Sequence, residues 1–199
     1  MEKINLFGAS GHGKVIMDII EAGGRHTGCF YDDNPKEGSM NGVGVYKAVD
    51  SEIEGPLIVS IGSNEMRKQV VERLNVAFAT AVHPTAVVSP SAAIADGTAV
   101  MQAAVIQADA RIGRHCIINT AASVDHDCCI DDYVHIAPRA TLCGNVKVGE
   151  GTLIGSGSVI VPGVRIGRWS IVGAGSVVVR DIPDGVIAYG NPCRVHKLR

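Results

Sequence analysis

Aromatic side chains are scarce: 199 residues hold three Phe, four Tyr and one Trp. The interior must then be filled by Val, Ile and Ala beside 24 glycines, a mixture suited to close-packed strands and turns and poor for helical bundles. Charge of one sign is lacking too, with Lys plus Arg at 18, Asp plus Glu at 20, a net charge of -2 and no long block of either. That balance excludes the basic footprint of a nucleic-acid binder. No apolar run suits membrane insertion, since the longest uncharged stretch, 75–95, is broken by His83, Pro84, Ser89, Pro90 and Ser91. The opening MEKINLFGASG meets glycine straight after Phe7 and has no signal-peptide core. Cys29, Cys116, Cys128, Cys129, Cys143 and Cys193 show no CxxC or zinc-ligand spacing. Reduced thiols in a cytoplasmic protein are therefore expected, not disulfides.

The first 80 residues read as strand, glycine turn, helix, strand, loop, strand, helix. Lys3 to Phe7 forms a short apolar strand and GASGHG (Gly8 to Gly13) a tight turn. Val15, Ile16, Ile19 and Ile20 recur at helical spacing until Gly23 and Gly24. Thr27 to Tyr31 is a second strand ending in Asp32 and Asp33, a loop carries GVGV (Gly42 to Val45), and LIVSI (Leu57 to Ile61) is a buried strand before a helix that Asn64 caps and that runs to about Leu74. This is α/β grammar, too short for a full dinucleotide-binding fold.

From residue 82 the period becomes six. Seventeen positions from Val82 to Val178 are all Val, Ile or Leu without an exception. Four residues after each of the first sixteen stands a small or β-branched residue, such as Ala104, Cys116, Ala122 or Cys128. Neither helix nor hairpin has this period, which describes a triangular prism of six-residue sides. Aliphatic residues stack inside it, and the small slot fills each corner where a larger side chain would clash. Three sides make an 18-residue coil rising about 4.8 Å, so about five coils are expected. Cys116 and Cys128 are accordingly corner-slot residues.

Hexads such as IGRHCI, VGEGTL, IGSGSV and VGAGSV resemble those of the hexapeptide acyltransferases, as does the ending DIPDGVIAYGNPCRV. That resemblance implies a left-handed winding. The expected fold is thus an α/β N-terminal Rossmann-like βαβαβ domain (1–80) followed by a left-handed parallel β-helix of hexapeptide repeats with a C-terminal tail (81–199).

Chemistry must come from outward residues that the prism does not need. His126 in SVDHDCCI follows Val124 by two, at an outward corner beside Asp127. An imidazole there can take a proton at neutral pH, and the carboxylate can orient it and raise its basicity. His115 reads as a surface turn residue. The three prism histidines, His115, His126 and His135, are 11 and 9 apart, whereas the zinc sites of carbonic-anhydrase-type β-helices use two histidines five apart, so no metal is expected. GASGHG is not GxGxxG, but its turn could present N–H groups to a phosphate at the helix start, or be only a turn. Asp32 and Asp33 could accept hydrogen bonds from a ribose or base, or form a solvated turn.

Together FGASGHGKV, the Asp-Asp pair, IGSNEMRK, SVDHDCCI and CGNVKVG resemble one subfamily: sugar acetyltransferases related to sialic acid O-acetyltransferases, and especially those that N-acetylate UDP-4-amino-4,6-dideoxy sugars for bacillosamine synthesis. The resemblance implies acetyl-CoA as co-substrate, a UDP-linked amino sugar as acceptor and a homotrimer. It makes His126 the general base, assisted by Asp127 where relatives also use Glu. Gly144 is chosen for the N–H that holds the oxyanion, because a residue without a side chain lets the thioester approach the backbone. The nucleotide sugar would contact Ser10, Gly11, His12, Asp32, Asp33, Gly62 and Asn119. Acetyl-CoA would meet His135, Gly144, Ser156 and Ala174, with Arg194, Lys197 or Arg199 for its phosphates. A sugar O-acetyltransferase of the sialic acid type and a non-enzymatic nucleotide-sugar-binding trimer are the alternatives. A thiolate mechanism through Cys129 is disfavoured, since no base pairs with it.

Overall fold

A computed structural model describes residues 3–199. Strand β1 (Lys3–Phe7) buries Ile4, Leu6 and Phe7 and leads into a turn that two glycines make possible. Gly8 adopts φ 112, and a Cβ at Gly13 would lie 2.5 Å from the Gly8 carbonyl oxygen. Helix α1 (Gly11–Ala22) can therefore start against the strand end, with Ile16, Met17, Ile19 and Ile20 buried beneath it. Strand β2 (His26–Asp32) pairs parallel to β1. Next come β3 (Ser39–Met40), β4 (Val43–Lys47), β5 (Leu57–Val59) and helix α2 (Asn64–Arg73), which is capped not by Asn64 but by Ser63, whose hydroxyl accepts the Met66 N–H. The sheet order is β3-β4-β2-β1-β5.

One element differs from the sequence reading. The GVGV loop is a hairpin whose second strand, β4, extends the sheet parallel to β2. Asn41 and Gly42 both have positive φ (48 and 82), the turn geometry that matches the twist of paired strands. At this edge Val45 is buried while Tyr46 and Lys47 are exposed, so no continuous apolar run marks the strand.

The prism follows the hexads. Strands of two residues pair in parallel at intervals of 18, as in Val105↔Ser123 and Ser123↔Thr141. They form three faces. One, from Val87–Val88 to Val177–Val178, presents Val87, Val105, Val159 and Val177 outward and is called here the valine face. The second, from Ala93–Ile94 to Arg165–Ile166, presents Arg111, Cys129, Lys147 and Arg165, and is the basic face. The third, from Ala81–Val82 to Ile171–Val172, is the docking face, and it continues into the terminal hairpin Val186–Gly190 and Cys193–Leu198. Its Ala81, Ala99 and Ile117 share one apolar cluster with Ile16, Ile19 and Ile20. The N-terminal sheet thus rides on the docking face.

Corners explain the small slots. The residue before each slot from Thr98 to Ser176 is left-handed, including Asp127 (φ 58), Tyr133 (φ 60) and Asn145 (φ 58), which turns the slot side chain inward. Donor slots from Thr98 to Ser158 satisfy a carbonyl 15 residues ahead: Thr98 to Gly113 (2.8 Å), Cys116 to Asp131 (3.1 Å), Cys128 to Cys143 (3.2 Å), Thr152 to Gly167 (2.6 Å) and Ser158 to Gly173 (2.9 Å). Cys116 and Cys128 are buried as expected, and burial pushes their thiols up to about 12 and about 11. Among the described residues no helix is long and apolar enough to cross a membrane.

Ala122 fills a slot with no exposed surface. Ala122→Leu should cost about 1–3 kcal/mol through overpacking, seen as a lower midpoint in denaturant unfolding, while Cys128→Ala should cost less. Equal stability of Ala122→Leu and the parent would contradict the corner-slot account.

Candidate active site

His126 stands at the corner between the valine and basic faces, in the turn after Ser123–Val124. The left-handed Asp127 folds its carboxylate back, so that Oδ2 lies 2.7 Å from His126 Nδ1. The His126 backbone N–H donates to Asp125 Oδ1 at 2.8 Å. With Nδ1–H donating to Asp127, the Nε2 lone pair is left free. The hydrogen bond to Asp127, and then the charge of Asp125, raise the imidazole pKa above its ordinary value.

Residue 144 lies one coil beyond 126. A Cβ there would sit 2.5 Å from His126 Nε2, so the close approach of ring and backbone requires glycine. The Gly144 N–H makes no hydrogen bond among the described residues. A proton acceptor and an unengaged N–H donor thus share one corner. Cys128, next to this pair in sequence, is inside the prism with its thiol on the Cys143 carbonyl. Cys129 points from the basic face.

A second site opens in the N-terminal sheet. A cleft of about 480 Å³ is lined by Ser10, Gly11, Lys14, Asp32, Asn34 and Lys36, among others. Ser10 caps α1 without a side-chain bond, and no acid stands in the first turn. The helix N–H groups and Lys14 therefore offer an anion site. Asp32 holds the turn, accepting from the Ala9 N–H (2.8 Å) and the Asn34 N–H (2.8 Å). Asp33 turns away from the cleft to pair with Arg73 of α2 at 2.5 Å.

His12 and Gly62 meet the prism where α1 and the loop after β5 reach the docking face. There His135 Nε2 lies 2.9 Å from Asn119 Nδ2. Because the amide nitrogen can only donate, His135 must accept and be neutral. Burial first, and then the nearby Arg67 charge, push His135 down to about 3 and His12 to about 4.

Arg67 was not singled out from the sequence. It is 1% exposed and donates Nε to the His115 carbonyl (2.8 Å), Nη1 to Ile61 (2.9 Å), and Nη2 to Asn64 Oδ1 (2.8 Å) and the Tyr133 carbonyl (2.9 Å). Asn64 adds bonds to the carbonyls of Gly151 and Thr152. The signal that could have found them is spacing: Asn64, Arg67 and Val70 are three apart on α2, the side that is buried. His115 corrects an expectation. It is not a surface residue but 4% exposed, edge-on to Phe78 and stacked on Tyr133, because the N-terminal part covers this corner between the basic and docking faces.

Ser156 and Ala174 are exposed one coil apart on the corner between the docking and valine faces, the corner that also carries Asn119. The structure therefore gathers the expected residues into three groups. His126, Asp127 and Gly144 form one, on the edge opposite the docking face. Ser10, Gly11 and Asp32 form the cleft, while His12, Gly62, Asn119 and His135 meet at the junction, continued along its edge by Ser156 and Ala174. Of the terminal cations, Arg199 pairs with Glu65 and donates to the Trp169 carbonyl (3.0 Å), and Arg194 donates to the Cys193 carbonyl (2.9 Å).

Residues 3–74 match the family described as PglD N-terminal domain, and residues 145–180 the bacterial transferase hexapeptide (six repeats). The acetyltransferase domain of PglB from Neisseria gonorrhoeae is 38% identical with a TM-score of 0.92, over 98% of this chain and 100% of that one. A mutant of perosamine N-acetyltransferase from Caulobacter crescentus, solved with CoA and GDP-perosamine, is 36% identical with a TM-score of 0.90, over 99% of this chain and 98% of that one. The chain belongs to the hexapeptide-repeat sugar N-acetyltransferase family. Within that family, the UDP-N-acetylbacillosamine N-acetyltransferase of Bacillus subtilis is 47% identical over 109 residues, and the match spans 50% of that protein. The prism is the left-handed parallel β-helix expected from the resemblance of its hexads to that family.

The His126 environment predicts a measurable titration. Followed by NMR, the His126 imidazole should protonate at a higher pH than an ordinary histidine, and Asp127→Asn, which keeps a residue tolerant of the left-handed corner, should bring it down. An unshifted midpoint in that variant would contradict the assigned hydrogen bond.

Proposed function

We propose that this protein transfers an acetyl group from acetyl-CoA to the 4-amino group of a UDP-linked 4-amino-4,6-dideoxy sugar by direct attack. The observation that carries the reading is the pairing of a free His126 Nε2 with the unengaged Gly144 N–H. The amine nitrogen attacks the thioester carbonyl while His126 Nε2 takes its proton. The Gly144 N–H stabilises the tetrahedral oxyanion. Collapse breaks the C–S bond, and the imidazolium returns the proton to the leaving CoA sulfur. Asp127 keeps Nδ1 protonated and stabilises the imidazolium. No covalent enzyme intermediate is needed, in keeping with the inward Cys128 thiol.

Acceptor recognition falls to residues 1–80 and acyl transfer to residues 81–199. Ser10, Gly11 and Lys14 take the diphosphate, and Asp32 the nucleoside. His12, Gly62 and Asn119 meet the sugar, Asp33 acts only indirectly by fixing the β2 end to α2, and His135, Ser156 and Ala174 line the path of acetyl-CoA. The UDP-sugar assignment is supported by the Bacillus subtilis relative, and the amine chemistry by the N-acetyltransferase activities of the Bacillus subtilis and Caulobacter crescentus relatives. Six free thiols fit a reducing cytoplasm.

One chain leaves its nucleotide cleft on the docking face and His126 on the opposite edge. A homotrimer with valine faces inward resolves this, setting the Asn119–Ser156–Ala174 edge of one copy beside the His126–Gly144 edge of the next. Val87 and Val159, 63% and 37% exposed, give that face its apolar surface.

Thiol release from acetyl-CoA, measured with UDP-4-amino, CDP-4-amino and sialic acid acceptors, tests the chemistry. Release with the UDP-4-amino sugar is expected, and His126→Ala should lower turnover by about 10² to 10⁴. Release with sialic acid alone would replace the reading by O-acetylation, and release with none would favour a binding protein. A co-expressed mixture tests the shared site: His126→Ala and Gly11→Trp chains, the latter filling a cleft position where a Cβ meets nothing within 4 Å, should each be inactive alone. Mixed, they should recover about a quarter of the activity by random assembly around the threefold. No recovery would contradict a site built by two copies.

A further inference from the structure

The corner between the basic and docking faces carries His115, Tyr133, Gly151 and Trp169 at successive coils, all left-handed (φ 54, 60, 67 and 51). Their carbonyls accept no backbone N–H among the described residues. Each takes a side-chain donor from outside the coils instead. Arg67 donates Nε to His115 (2.8 Å) and Nη2 to Tyr133 (2.9 Å), Asn64 Nδ2 reaches Gly151 (3.0 Å), and Arg199, paired with Glu65, reaches Trp169 (3.0 Å). Asn64, Glu65 and Arg67 all lie in the first turn of α2. Residues three apart on a helix rise about 4.5 Å, close to the coil spacing of about 4.8 Å. One face of α2 therefore keeps step with the ladder of corner carbonyls.

A carbonyl ladder alone leaves the step undetermined, because every coil offers the same acceptor. The side chains at this corner are not alike. His115 stacks on Tyr133 (ring centroids 5.4 Å apart, interplanar angle 9°), whereas Gly151 leaves room for the Trp169 ring, which a Cβ at residue 151 would meet at 2.4 Å. Lys68 stands over both Tyr133 (5.7 Å to the ring centre) and Trp169 (5.4 Å), and pairs with Glu150 at 2.5 Å. Slipped by one coil, Lys68 would meet Arg168 in one direction and, in the other, Asp132, which Arg114 already holds at 2.9 Å. Like charge on one side and an engaged acid on the other thus favour a single step. Arg67 links that step to the acceptor side, since its Nη1 donates to the carbonyls of Ile61 (2.9 Å) and Gly62 (3.4 Å), and the Gly62 carbonyl faces the His135 ring. With Nη2 also on Asn64 Oδ1 (2.8 Å), all five guanidinium N–H groups are engaged.

We infer that this corner is a ruler read by α2, in which Arg67 supplies the grip and Lys68 the register, and that both are positioning residues setting the height of the acceptor cleft along the prism. The inference rests on the reading of that cleft as the acceptor site. Neither side chain lines the cleft, so each acts through the placement of the N-terminal sheet. A slip of one coil would carry the cleft about 4.8 Å along the prism. Rotation about a threefold parallel to the prisms leaves heights unchanged, so assembly would not correct it. A misplacement of about 1 Å already slows a reaction by about 100-fold.

Turnover and docking are read separately in the full-length parent, Arg67→Lys, Lys68→Ala and Lys68→Arg. Trp169 is the chain's one tryptophan, so its emission reports on this corner whether or not an acceptor is acetylated. The emission is read in Arg67→Lys, because Lys68 itself lies over the ring. Arg67→Lys leaves three N–H groups where five are used. It should red-shift that emission and lower kcat with the UDP-4-amino sugar about 10- to 100-fold, while calorimetric affinities for UDP and CoA stay within about threefold of the parent. Lys68→Ala, at a partly exposed position, should lower kcat in the same way. Lys68→Arg, which keeps both the ion pair and the cation over the rings, should restore most of it. A fall in UDP affinity equal to the fall in kcat would make the two residues merely structural and overturn the inference, as would unchanged kcat and emission. If the parent acetylates no acceptor, the acetyl-transfer reading fails by itself and Trp169 still decides: a shifted emission with UDP affinity kept supports the ruler, and an unshifted one removes it.

Discussion

The structure depends on closure of the coil after 18 residues. Each turn of chain can lie on the last only if its aliphatic residues fall on aliphatic residues and its corners hold something small. That constraint fixes far more than a core. It places every outward residue at a known height and on a known edge, so that His126 is carried directly over Gly144 and their contact needs no loop or lid. A rigid repeat of this kind can present chemistry from a tight corner, because the slot beside it is satisfied inside the prism, as Cys128 is by the Cys143 carbonyl.

The second determinant is the way the N-terminal sheet is fastened. Arg67 is a buried cation with no carboxylate partner among the described residues, held by carbonyl and amide oxygens from both parts of the chain. Removing such a group would orphan several acceptors at once. Burial, and after it the Arg67 charge, keeps His12 and His135 neutral beside it. The proposed sugar site is therefore lined by imidazoles acting through hydrogen bonds, while the one imidazole with raised basicity stands far from Arg67, beside two aspartates. Environment separates histidines that are chemically identical in the sequence.

Much of this was legible in the sequence. The hexads specified faces, slots and corners because a prism tolerates almost no variation at Val124 or Ala122, and the corner position of His126 followed from counting. What periodicity could not say is which edge another part of the chain would cover, so His115 looked solvated when it packs between Phe78 and Tyr133. The β3–β4 hairpin was hidden because its edge strand buries only part of one face. Nothing in the sequence marked Arg67 and Asn64 as buried, since single-sequence patterns treat charge and amides as solvated. Asp33, adjacent to Asp32 but in the bend past the end of β2, proved to pair with Arg73 of α2.

The central claim is that the acceptor held by one copy's cleft reacts at the His126 corner of another. A crystal structure of the assembled protein with CoA and a UDP-4-amino sugar tests it most directly. The account predicts a threefold assembly in which the sugar nitrogen lies about 3 Å from His126 Nε2 of a neighbouring copy. A sugar nitrogen placed at its own chain's His126, or beyond reach of every His126, would contradict it.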